Sequence, residues 1–228
     1  MSHAVEAARP AQTSAWHMYR AMVSVGVVCG LLIVGVFQAT LPIIERNKAE
    51  ALRSAIFHVL PDATTSTTFR FDESGGFSVV KGESAGMPQV YAGYDDDHQL
   101  VGLAVEAQGM GYQDVIRLIY GYSFVDETII GIQVLDSKET PGLGDKIEND
   151  PEFLANFERL DVSLGEDPSA LARAIVPVRH GNKTHPWEVD GITGATISSK
   201  AIASILDGSA QYWVPRIRRN LEALQGGE

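Results

Sequence analysis

Hydrophobic positions follow two regimes along the 228-residue chain. From Ala21 to Ile44 the sequence is apolar on every side and contains no Asp, Glu, Lys or Arg. As a helix rising 1.5 Å per residue, this run would reach about 36 Å, against about 30 Å of bilayer hydrocarbon. The pattern therefore predicts a transmembrane helix over 21–44, preceded by a short polar N-terminus over 1–20. A cleaved signal peptide fits less well, because the run exceeds the usual apolar stretch of about 7 to 15 residues and no A-x-A-like site follows it. Trp16 and Tyr19 suit an interfacial aromatic belt. After the span, Ala49, Leu52, Ala55, Ile56, Val59 and Leu60 repeat with helical spacing up to Pro61. They predict a juxtamembrane helix over 45–61 that continues the first.

Beyond Pro61 the pattern changes to short β-like runs separated by Gly, Asp and Pro. These are Phe69–Phe71, Phe77–Lys81, Gln89–Tyr94, Leu100–Ala107, Val115–Phe124 and Thr128–Leu135. Spacing this close predicts hairpins and an antiparallel sheet, since parallel crossovers need a dozen or more residues. Pro151–Leu160 reads as a short helix capped by Asp150, Ala174–Val178 as a further strand, and 180–189 as a loop. A final helix is predicted from Ser199 to Trp213, stopping at Pro215. The fold class is therefore α+β: an antiparallel-sheet domain over 62–228 behind one transmembrane helix.

Composition narrows the function. A formal net charge of −11 and a pI near 5.0 argue against nucleic-acid binding, which needs a basic face. The single cysteine, Cys29, lies inside the apolar run. An internal disulfide, Cys-ligated iron–sulfur clusters and CxxC redox chemistry are thus excluded within the chain. His180 and His185 share a loop with Trp187, but their spacing matches no strong zinc pattern, and no metal site is expected. The Asp95–Asp97 run lacks the later ligands of a calcium loop and reads as a hairpin turn.

Two segments remain that chemistry could use. In Asp190-Gly-Ile-Thr-Gly-Ala-Thr196-Ile-Ser-Ser199, small residues strip bulk from around Thr196, and the apolar positions Ala201, Ile202, Ile205 and Leu206 behind it mark a helix face. Thr196 is expected at an exposed loop-to-helix junction. The hydroxyls of Thr193, Thr196, Ser198 and Ser199 are equally good helix caps, and the segment alone does not decide between the two readings. The other segment, Lys138-Glu-Thr-Pro-Gly-Leu-Gly-Asp-Lys146, follows an apolar strand. Pro141-Gly142 suits the centre of a type II turn, and Gly144 permits close backbone approach, so Glu139 and Thr140 are presented at a strand end.

Together, Glu139-Thr-Pro-Gly-Leu-Gly-Asp-Lys146 and Asp190-Gly-Ile-Thr-Gly-Ala-Thr196, behind a single anchor, resemble the FMN-binding family of RnfG and NqrC. RnfG is the flavoprotein subunit of the Rnf ion-translocating oxidoreductase. NqrC serves the sodium-pumping NADH:quinone oxidoreductase and is the alternative, but the continuation Gly144-Asp145-Lys146 looks more like RnfG. The resemblance implies FMN joined through its phosphate to Thr196 by a separate flavin transferase that uses FAD as donor. It also implies that Thr193, Gly194 and Ala195 approach the phosphate or ribityl chain, and that Glu139, Thr140 and Leu143 approach the ring. Asp190 would orient the acceptor or hold its turn. Ser137 stands where family members often carry His. The implied role is electron transfer within a multi-subunit ion-translocating complex, with the main domain on the periplasmic side of the cell inner membrane. Threonine has no built-in base in this motif, in keeping with an external transferase. A membrane-anchored regulatory or scaffold domain is the remaining, different-class alternative.

Overall fold

A computed structural model describes residues 15–72, 76–80 and 88–226. The chain divides into two units, Met1–Ala49 and Glu50–Glu228. One continuous helix, α1 (Ala15–Val59), covers both the predicted apolar helix and the predicted juxtamembrane one. In the first unit it is exposed and apolar, with Leu31, Ile33, Val34 and Phe37 all more than half exposed. It is long and apolar enough to cross a membrane. The expected N-terminal stretch falls mostly outside the described residues.

The second unit is built on a seven-stranded antiparallel sheet. In chain order its strands are β1 (Thr65–Asp72), β2 (Gly76–Val79), β3 (Gln89–Tyr94), β4 (Leu100–Met110), β5 (Val115–Ser123), β6 (Thr128–Asp136) and, after two short helices, β7 (Leu160–Asp161). The spatial order is β2-β1-β3-β4-β5-β6-β7. The helices between β6 and β7 are α2 (Lys146–Asn149) and α3 (Pro151–Leu154). Asp150 Oδ1 caps α3 by accepting from the N–H groups of Glu152 and Phe153, as its sequence position predicts. The predicted helix over 151–160 is shorter than expected: after Leu154 the chain tightens into a 3₁₀ turn, Ala155–Phe157. A parallel pair follows, β8 (Val176–Val178) with β9 (Glu188–Asp190), then α4 (Thr196–Arg219) and α5 (Leu221–Gln225).

Alternation along the strands sends successive side chains to opposite faces. One set, including Val90, Leu103, Val105, Leu118, Tyr120 and Tyr122, packs against the buried stripe of α4: Ile202, Leu206, Ala210, Trp213, Val214 and Ile217. The tyrosines on β5 are therefore core. The opposite set, Tyr91, Ala104 and Ile119, meets Ala55, Ile56, Val59, Leu60 and Ala63 at the end of α1. That contact is made by glycine. A Cβ at Gly93 would come within 2.8 Å of both Ala63 Cβ and Leu60 Cδ1, one at Gly102 within 2.8 Å of Leu60 Cδ2, and one at Gly121 would overlap the Val59 carbonyl. Gly93 pairs with Gly102 and Gly121 with Gly131 across neighbouring strands. The sheet thus carries a side-chain-free trough into which the helix end sits.

The last helix departs from expectation at both ends. It starts at Thr196 rather than Ser199 and runs through Pro215 to Arg219. An interior proline costs about 3 kcal/mol by removing a helix hydrogen bond and crowding the preceding turn. Burial of Trp213, Val214, Pro215 and Ile217 offsets that loss.

Candidate functional site

Three segments meet around the carboxylate of Glu139, which is 6 % exposed. The turn between β4 and β5 supplies the N–H groups of Tyr112 and Gln113, which donate to Glu139 Oε1 at 2.8 and 3.1 Å. The start of α4 supplies Ser198, whose hydroxyl donates to Glu139 Oε2 at 2.5 Å. Beside them, Gln113 Nε2 donates to Thr140 Oγ1 at 2.6 Å, and Lys138 pairs with Asp114. The hydrogen bond from Lys138 holds the Asp114 carboxyl below its ordinary pKa, and Asp114 in turn raises that of Lys138. Ser137 Oγ accepts from the Glu139 N–H at 3.2 Å and so fixes how the chain enters the turn.

The Thr140–Asp145 segment forms the predicted turn. Gly142 has φ +76°, and the Thr140 carbonyl accepts from the N–H groups of Leu143 and Gly144 at 3.1 and 3.0 Å. Gly144 is required for space: a Cβ there would lie 2.7 Å from Glu139 Oε2 and 3.0 Å from Ser198 Oγ. The close approach expected at Gly144 is therefore to the protein itself. Glu139, expected at a ring, is committed to three protein donors. Leu143, by contrast, is 52 % exposed.

The acceptor motif leaves β9 at Asp190. Its Oδ2 accepts from the Gly181 N–H at 2.9 Å and lies 3.8 Å from His180 Nδ1. Its Oδ1 is buried without a hydrogen-bond partner. Asp190 thus holds the preceding loop. Its own backbone is held by Asn156, a buried amide that donates to the Asp190 carbonyl at 3.1 Å and accepts from its N–H at 2.9 Å. Lys183 Nζ also donates to Asn156, and burial lowers the Lys183 pKa.

From Gly191 onward the chain folds back on the helix it opens. Ser199 Oγ accepts from the Ile192 N–H at 3.0 Å and donates to the Ala195 carbonyl at 2.9 Å. Thr193, Gly194 and Thr196 are exposed, and Gly194 has φ +88° with open space where a Cβ would point. Ala195 is the N-cap of α4 and offers no side-chain acceptor. Thr196 is therefore the first helical residue and not a cap. No side chain caps the first turn of α4, and uncapped amide groups at a helix start suit an anion.

This geometry fits FMN. An exposed hydroxyl stands at an uncapped helix terminus beside a glycine that adds no bulk, which suits a phosphate. On the segments bound to Glu139 or next to Thr196, Met110, Tyr112, Leu143 and Ile197 are all more than half exposed and offer apolar surface to a flat ring. Sequence reasoning missed Tyr112, Gln113, Ser198, Asn156 and Lys183. Ser198 carried a signal, as a hydroxyl inside the motif. The others gave none at the level of pattern.

Elsewhere, His185 stacks on Trp187 with ring centroids 4.5 Å apart, and Arg173 lies over the same indole at 5.7 Å. Among the described residues no group of three or more His, Cys, Asp or Glu is arranged to hold a metal ion.

The fold and the site define an FMN-binding domain carried behind a long apolar helix. The family model described as FMN-binding domain matches residues 111–210, which include all three converging segments. The G subunit of the ion-translocating oxidoreductase complex from Methanosarcina acetivorans is 33 % identical over 193 residues, covering 84 % of this chain and 90 % of that protein. Its namesake from Shewanella baltica is 26 % identical over 194 residues, covering 82 % and 83 %. The chain belongs to this family, the RnfG proteins. Among solved structures, Shewanella oneidensis NqrC shares the fold with a TM-score of 0.57 at 15 % identity, covering 79 % of this chain and 99 % of that one. The corresponding C subunit of the Na⁺-translocating NADH-quinone reductase from Parabacteroides distasonis gives 0.52 at 22 % identity, covering 68 % and 78 %.

Proposed function

We propose that the protein is the FMN-bearing, electron-carrying member of an Rnf-type ion-translocating oxidoreductase, with the flavin joined covalently to Thr196. The observation that carries this reading is the exposed Thr196 hydroxyl at the uncapped start of α4, inside the motif that carries the resemblance to RnfG. Bound FMN supplies the electron-transfer chemistry, which no side chain of this protein can provide. Attachment forms a bond between Thr196 Oγ1 and the flavin phosphate. It breaks the pyrophosphate of FAD, releases AMP and passes the hydroxyl proton to the transferase.

The chain's own residues fix the surroundings. Gly194 and Ala195 leave the acceptor accessible, and the first-turn amides of α4 stabilise the phosphodiester charge in an otherwise acidic domain. Glu139, Thr140 and Ser198 set the ring-side surface by tying the β4–β5 turn and the Thr140–Asp145 turn to the helix. Leu143 and Tyr112 give it apolar walls. Asp190 and Asn156 hold the approach to the motif. A covalent link removes flavin dissociation from the cycle, which suits a carrier exchanging electrons with cofactors on other membrane and peripheral subunits. The α1 helix anchors the protein in the cell inner membrane, with the sheet domain on the periplasmic side, and the complex as a whole acts as the translocase. The NqrC likeness concerns the fold, while the RnfG relatives favour the Rnf role.

The test is Thr196→Ala, produced together with a flavin transferase. The variant is expected to remain folded and membrane-bound while losing the ultraviolet-fluorescent band of the wild type on denaturing gels. Thr196→Ser, which restores a hydroxyl, should regain it. A band that survives in Thr196→Ala rules out Thr196 as the attachment point.

A further inference from the structure

Among the described residues, Glu139 is a buried carboxylate without a cation. Its Oε1 accepts from two backbone N–H groups and its Oε2 is bound by the Ser198 hydroxyl. None of these donors carries a charge. Lys138, the adjacent residue, is turned to Asp114, and the cations of Arg117 and Arg218 face Glu106 and Glu127. The Glu139 carboxyl is therefore buried where the three segments meet, with no cation paired to it among the described residues. Asp145, on the same turn, adds a carboxylate whose Oδ1 is buried and without a partner.

The position of this charge matters. Ser198, which binds Glu139 Oε2, lies in the same first turn of α4 as Thr196, and Tyr112 and Leu143, the exposed apolar side chains beside the site, come from the two other segments that meet at Glu139. The exposed cations Lys146 and Lys200 stand in solvent and are screened. A charge held in a protein interior acts on its surroundings more strongly than one in water. Reduction puts electron density on the flavin, and a fixed anion nearby disfavours that form.

We propose that the Glu139 carboxylate, with Asp145 as a weaker second contributor, holds down the reduction potential of the flavin carried on Thr196. The inference rests on the carrier reading above. Glu139 is then a positioning residue in shape and an electrostatic one in effect. Glu139→Gln separates the two roles. The amide keeps the size and an acceptor oxygen for Tyr112 and Gln113, while its NH₂ can donate to Ser198 Oγ, so the geometry is kept and the charge is removed.

The experiment is a dithionite titration with redox mediators, at fixed pH, of the full-length protein in detergent with its flavin attached. Glu139→Gln is expected to shift the flavin to a more positive potential than wild type, and Asp145→Asn to shift it the same way by less. Ser198→Ala, which removes a hydroxyl and leaves the charge, is expected to give no positive shift. An unchanged or more negative potential in loaded Glu139→Gln overturns the proposal. Should that variant fail to carry flavin, a positive shift in Asp145→Asn supports the proposal and an unchanged potential overturns it. Denaturing-gel fluorescence on the same samples keeps the two claims apart: wild type without an adduct removes the carrier reading itself, whereas loaded variants with wild-type potential remove only the electrostatic one.

Discussion

At the scale of single residues, the site depends on side chains that substitute for backbone. Asn156 pairs with both the N–H and the carbonyl of Asp190, as a neighbouring strand would, and so fixes where the acceptor motif begins. Asn156→Ala removes both bonds from a buried position and also takes away an acceptor for Lys183. The expected loss is about 1 to 3 kcal/mol, seen as a lower urea midpoint with an unchanged slope. A midpoint equal to that of wild type would show that Asp190 is held some other way. Glu139 is the companion case. Its presence in a rigid turn was legible from the glycines and proline around it, and the positive φ at Gly142 follows from the same pattern. Its burial was not, because the three donors that draw it inward come from positions 26, 27 and 59 residues away in sequence. Asn156 had no sequence signal for the same reason: its partner is 34 residues distant and is backbone.

At the scale of elements, the glycine trough explains how the end of α1 can lie against the sheet. Gly121→Ala places a methyl group on the Val59 carbonyl and 3.1 Å from Ile130 Cγ1. Overpacking of this kind is expected to cost about 1 to 3 kcal/mol. The accompanying readout is faster amide hydrogen exchange in residues 50–60, and exchange at the wild-type rate would contradict the trough's role. Gly76→Ala, where nothing lies within 4 Å, serves as the control. The long strands were legible because β3, β4, β5 and β6 are apolar runs rich in β-branched and aromatic residues and bounded by turn residues, and β3 to β5 are buried on both faces over much of their length. The β8–β9 pair was only half legible: each strand has three residues, too few for a period, and β9 was read as loop. The end of α4 was misplaced because Pro215 is a helix stop by local rules, and only the buried stripe around it shows why the helix continues.

At the scale of the whole molecule, a long apolar helix and an acidic α+β domain are joined in one chain, an arrangement already apparent in the change of hydrophobic period near residue 61. What charge counting left open was the side of the membrane, since Arg9 and Arg20 precede the apolar run while Arg46, Lys48 and Arg53 follow it. The periplasmic assignment predicts that Asp96→Cys, in the exposed turn between β3 and β4 and combined with Cys29→Ser, reacts with a membrane-impermeant maleimide in intact spheroplasts. Labelling only after lysis would place the domain in the cytoplasm. Whether Thr196 carries a covalent flavin is read out by intact mass and peptide mapping of the purified wild-type protein. The expected increment is about 440 Da, FMN less water, confined to the peptide containing Thr196. An unmodified mass, or the same increment on a different hydroxyl such as Thr193, would contradict the assignment.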